Sequence, residues 1–199
     1  MIYIAAFFIF IILGAIIHEY CHGWMADQLG DPTAKDMGRL TLNPMAHLDP
    51  VGSLLLPAFA WWATGGNFLF AYAKPVPFNP YNLKYRKWGP ALVGAAGPLA
   101  NFLIAVLLGV MMRLLGDTAS SAFLAIGVQA NIVLAIFNLV PIPPLDGSKI
   151  MFALFPPSWS ALQANLERYG MILFFVFIFS FSRLLTPVMD FFYRLIVEF

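Results

Sequence analysis

The sequence predicts an all-α polytopic membrane protein with about four spanning helices, a re-entrant or hairpin segment at 51–72, and short membrane-associated strands. Two observations carry the class. Of 199 residues, 61% are hydrophobic and only 11% are charged, with a mean hydropathy of +0.81; a soluble domain averages roughly 45–50% apolar and about 25% charged. The apolar residues also fall in runs long enough to span, since about 20 residues at 1.5 Å each cross the hydrocarbon core. The length is used up by such runs, so a single domain, 1–199, is expected. The net charge of +1 and the absence of a basic block argue against a nucleic-acid partner. The single cysteine excludes an internal disulfide.

The first apolar stretch, 2–26, has neither a basic leader nor a small-residue cleavage site and is read as a retained helix, not a signal peptide. Asp27 to Pro32 ends it. Residues 27–50 are polar and punctuated by Pro and Gly, and the alternation Arg39-Leu40-Thr41-Leu42 predicts a short strand. The 51–72 run is apolar but broken by Pro57 and Gly65-Gly66. The loop 73–89 holds Lys74, Lys84, Arg86 and Lys87, the chain's one basic cluster. Spans 90–112 and 119–140 follow. A proline-rich turn, 141–147, ends in Leu145-Asp146-Gly147, and a last span covers 170–189.

The basic loop is expected on the cytoplasmic side. Span 90–112 then runs outward and 119–140 returns, which places Asp146 near the cytoplasmic face. If Asp146 is to meet residues near the end of the first span, that span also runs inward, and 51–72 must begin and end on one side. A plain tilted helix there would separate the two.

The first span carries His18-Glu19-Tyr20-Cys21-His22. Residues four apart share a helix face, so His18 and His22 can reach one metal ion, and Glu19, one step round, can act as a base on water. A bilayer disfavours such groups, so they mark function. Catalytic zinc needs a third protein ligand. With three histidines in the chain, one of them His47 in a Pro-containing loop, Asp146 stands out among the acidic residues. It follows prolines that unwind the backbone, and Gly147 permits a sharp turn. The other reading of Asp146 is the N-cap of the next helix.

His18-Glu19-x-x-His22, followed by Asn138-Leu139-Val140-Pro141-Ile142-Pro143-Pro144-Leu145-Asp146-Gly147, resembles the site-2 protease family of intramembrane zinc metalloproteases. Gly30-Asp31-Pro32-Thr33-Ala34, Arg39 to Pro44 and Ala96-Gly97-Pro98-Leu99-Ala100-Asn101 resemble its compact prokaryotic branch. The resemblance implies one zinc held by His18, His22 and Asp146, with Glu19 as catalytic base. It implies a catalytic Asn138, holding substrate or the oxyanion; the other reading is an amide that satisfies the backbone freed by the prolines. Asn101 reads as a structural partner to a neighbouring helix, and Cys21 as a packed small residue. The implied activity is hydrolysis of peptide bonds within or beside the membrane-spanning segment of another protein, in regulated intramembrane proteolysis. The protein would be a multi-pass protein of the cell membrane, surrounded by the lipid bilayer, with its site toward the cytoplasm. The extra modules of many relatives find no room here, so substrate choice would rest on the membrane core, the Asn43–Asp49 loop, or a separate partner or oligomer. A catalytically silent membrane binder on the same scaffold and a metal transporter are the competing classes; the intact Glu19 opposes the first, and the lack of internal repeats the second.

Overall fold

The computed structural model describes residues 2–47, 49, 52, 55, 62, 74–116 and 118–198. The expected re-entrant segment, 51–72, lies outside these residues except for isolated positions. Among the described residues the architecture is helical. Helix α1 (Ile2–Gln28) is followed by the single turns α2 (Thr33–Asp36) and α3 (Pro44–His47), and then by α4 (Gly89–Leu115) and α5 (Ala119–Asn138). The chain continues through α6 (Asp146–Leu154), α7 (Ser160–Arg168), α8 (Gly170–Ser180) and α9 (Thr186–Val197), with short 3-10 turns at Pro157–Trp159 and Ser182–Leu185.

Among the described residues, three helices are long and apolar enough to cross a membrane: Ile2–Gln28, Gly89–Leu115 and Ser120–Asn138. They pack on one another, and α6 lies against α4. The outward faces of α1 and α4 carry exposed Ile4, Ile9, Ile12, Leu99, Leu103 and Leu107, as lipid contact requires. Between α4 and α5 the chain turns at Gly116, whose φ of 63° suits glycine. Thr118 then caps α5: its hydroxyl accepts from the Ser121 N–H, and the Ser121 hydroxyl accepts from the Thr118 N–H.

The expected last span, 170–189, is interrupted. Helix α8 has 11 residues, about 16 Å at 1.5 Å per residue, roughly half a hydrocarbon core. It stops where the Ser182 hydroxyl takes the Ile178 carbonyl and where Pro187, lacking an N–H, can only begin a new helix. Helix α7 and α8 meet at a 64° bend, and that pair would count as a fourth span only if taken together. Helix α9 packs back on α4 and α5, with Ile196 against Ala105, Val128 and Ile132.

The expected strands are corrected: among the described residues there is none. Arg39 to Leu42 is a bent loop, because groups that a ladder would use are already taken. The Thr41 carbonyl is bonded to His47 Nε2 at 2.7 Å, and the Arg39 guanidinium donates to the Lys74 carbonyl at 2.8 Å. Residues 74–79 are extended, since Pro75 and Pro77 fix their own φ and push the preceding residues out of the helical region. Those prolines also lack the N–H groups that a strand pair needs.

Three ties hold the loops together beyond the end of α1. The fully buried Asp31 accepts from the Thr33 hydroxyl, the Asn79 N–H and the Asn82 amide. Beside it the Lys84 N–H donates to the Leu29 carbonyl at 2.8 Å. The Lys74 N–H donates to the His47 carbonyl, also at 2.8 Å. The chain therefore leaves at 47 and returns at 74 to the same place.

Candidate metal centre

His18 and His22 are buried on the same face of α1, with ring centroids 4.5 Å apart and planes at 86°. Asp146 reaches them from the start of α6. Its Oδ2 lies 2.9 Å from His18 Nε2 and 3.1 Å from His22 Nε2. The donor atoms of all three side chains fall within 4.8 Å of one another.

The far nitrogens of both rings are anchored. His22 Nδ1 is 2.6 Å from the Val93 carbonyl, an acceptor without ambiguity, so that nitrogen carries the proton. His18 Nδ1 is 2.6 Å from Asn101 Oδ1. The orientation of this amide follows from its neighbours. Asn101 Nδ2 donates to the Gly14 carbonyl and to Asn131 Oδ1, and Asn131 Nδ2 donates to the Gly127 carbonyl. Backbone carbonyls at both ends of the chain of amides leave only Oδ1 to face His18. Both Nδ1 atoms are thereby donors, which turns each Nε2 toward Asp146.

Two imidazole nitrogens thus face one carboxylate oxygen at 2.9 and 3.1 Å in a buried site, and a positive charge is needed between them. Such a cluster repels itself unless a cation sits among it, and two imidazoles with a carboxylate are the donor set that suits zinc. Room is kept by Gly97 of α4: a Cβ there would lie 2.5 Å from His18 Nε2 and 2.6 Å from His22 Nε2. Gly147 is likewise required by space and not by an unusual φ. A Cβ on it would collide with the Leu139 and Val140 carbonyls of the preceding turn.

Asp146 is not an N-cap. The cap position is Leu145, with no side-chain cap bond, and the Asp146 carboxylate points to the histidines. Glu19, half-buried, accepts the Val76 N–H on Oε2 at 2.8 Å. The extended 74–79 segment therefore lies against the base candidate. The Asn138 amide donates to the Leu134 carbonyl of its own helix at 3.0 Å. Cys21 is not among the three converging ligands. His47 is buried in the loop, bonded to Thr41.

Sequence reasoning missed Asn131, Val93, Gly97 and Lys149, and gave Asn101 only part of its work. It bridges helices, as expected, and also fixes His18. The available signal was the pair of amides at Asn101 and Asn131 within apolar spans, where polar groups are expensive.

A family model described as peptidase family M50 matches residues 113–181, which include Asn138 and Asp146. A Bacillus subtilis protein named "Putative zinc metalloprotease YwhC" is 38% identical over 176 residues, 83% of this chain and 76% of the relative. Three proteins named "Putative zinc metalloprotease Rip2" also match, one from Mycolicibacterium smegmatis and one from each of two Mycobacterium tuberculosis strains. The one from Mycolicibacterium smegmatis is 29% identical over 190 residues, 92% of this chain and 69% of its own. One of the Mycobacterium tuberculosis pair is 31% identical over 182 residues, 86% and 67%. No solved structure matches the chain.

Proposed function

This chain belongs to peptidase family M50, the site-2 proteases, and from that premise we propose that it is a zinc endopeptidase cutting peptide bonds within or beside the transmembrane segment of another membrane protein. The observation that carries the reading is the convergence of His18, His22 and Asp146 on one point of a membrane-spanning helix, with Glu19 next in sequence. His18 and His22 would hold the ion through Nε2 and Asp146 through Oδ2. An ion held by these residues would lower the pKa of water to about 7 and polarise a carbonyl.

The chain's own residues supply the rest. The Val76 N–H fixes one oxygen of Glu19, leaving the other to take a proton from water and hand it to the departing amine. Asn101 and the Val93 carbonyl hold the two rings in the tautomer that the reaction needs. Asn138 spends one amide N–H on the Leu134 carbonyl and keeps its other N–H and its oxygen for substrate. Substrate itself must be locally unwound, because a membrane helix has its carbonyls bonded internally.

We place the site toward the cytoplasm on the strength of Lys74, Lys84, Arg86 and Lys87. Residues 47 and 74 meet, so the chain between them leaves and returns at one place. Regulated intramembrane proteolysis is the process that this arrangement fits, whether substrate is chosen by the membrane core or by a separate partner. The test is the Glu19→Gln variant, which keeps shape and the metal ligands. Membranes from cells making wild-type protein should contain peptides ending within transmembrane segments that vanish with Glu19→Gln. Identical peptide profiles would overturn the protease reading and favour a silent scaffold.

A further inference from the structure

The second oxygen of Asp146 has a partner of its own. Lys149, one turn along α6, sets Nζ 2.7 Å from Oδ1, while Oδ2 alone faces the two imidazoles. The carboxylate is buried and the lysine side chain 30% exposed. Its stem passes over Gly94 of α4, where an added Cβ would lie 3.1 Å from Lys149 Cβ and Cδ. Its ammonium stands 5.8 Å from the centre of the Phe78 ring, on the segment whose Val76 N–H holds Glu19.

A carboxylate can offer a metal one oxygen or both. If both were offered, the position that a catalytic zinc site keeps open would be filled. An ammonium at 2.7 Å makes a charge-assisted bond, one of the stronger kinds, and so competes with the metal for Oδ1. The gap at Gly94 and the ring of Phe78 hold the ammonium on that side. We propose that Lys149 is a positioning residue that keeps Asp146 a one-oxygen ligand and so keeps one coordination position open for the reacting groups. The inference rests on the metal reading above and adds what selects the ligand mode. An ordinary i,i+3 ion pair would steady α6 and be indifferent to the metal's geometry.

The test uses cobalt(II) in place of zinc in the purified, detergent-solubilised chain, because four-coordinate cobalt absorbs visible light strongly and five-coordinate cobalt weakly. Wild-type protein should show the strong bands. Lys149→Met, which keeps the stem but not the charge, should lose them as Oδ1 joins Oδ2; Lys149→Arg should keep them. Strong bands in Lys149→Met, or their loss in Lys149→Arg, would overturn the proposal. A second measurement needs no variant. X-ray absorption of zinc-loaded wild type should give four nitrogen or oxygen neighbours at about 2.0–2.2 Å. A fifth, from the second carboxylate oxygen, would overturn the role of Lys149 and leave the metal reading standing. Wild-type protein that takes up neither metal would overturn both.

Discussion

At the scale of single residues, the site depends on what stands behind the ligands. Asn101 accepts the His18 Nδ1 proton and is oriented by Gly14 and Asn131. Removing it leaves a buried N–H without an acceptor and lets the ring turn. Asn101→Ala should weaken zinc binding about 10–100-fold, the usual range for such supporting partners, measured by competition with a chelator. Wild-type affinity would show that the His18 tautomer does not depend on Asn101. The convergence of His18, His22 and Asp146 was legible because a spacing of four on a helix is a local fact, and because Asp146 belongs to a separate motif in the right order. Asn101 and Lys149 were not, since their partners lie 83 residues away in the first case and depend on a side-chain direction in the second.

At the scale of elements, the loops are ordered by buried polar ties rather than by strands. The Arg39–Leu42 alternation has period two, which is a strand signal. The pattern carries no information about who takes the backbone groups, and here Arg39 and His47 take them. Asp31 makes the strongest of these ties. Burial alone would raise its pKa, but hydrogen bonds from Thr33, Asn82 and Asn79 outweigh that and hold it below the ordinary 3.8. A carboxylate with a lowered folded pKa contributes stability that is present above its unfolded value and lost as pH falls through the folded one. Asp31→Asn should therefore cost about 1–3 kcal/mol at neutral pH. The gap from wild type should close as pH falls below about 3.9. Thermal unfolding in detergent across that range measures it. A gap that persists in acid would mean that the charge of Asp31 is not what holds the loops.

At the scale of the whole molecule, the spans were legible from apolar length alone, and the three long helices lie where the runs do. The broken last span was not, because Pro187 and Ser182 act through backbone groups that hydropathy ignores. Topology follows from the ties at Asp31 and Leu29, which bring 29–36 and 79–84 together. Single cysteines placed at the exposed positions Lys35 and Lys84, with Cys21 removed, should react with an impermeant reagent from the same side of the membrane. Reaction from opposite sides would exclude a re-entrant 51–72 and separate the histidines from Asp146.

The proposed site needs one ion shared by the first span and the turn after the last long one. Zinc should be counted in the purified wild-type chain and in Asp146→Ala, under conditions free of chelators. We expect about one zinc per wild-type chain, lost or much loosened in the variant. Wild-type protein without zinc, or a variant that keeps it as tightly, would contradict a centre built from His18, His22 and Asp146.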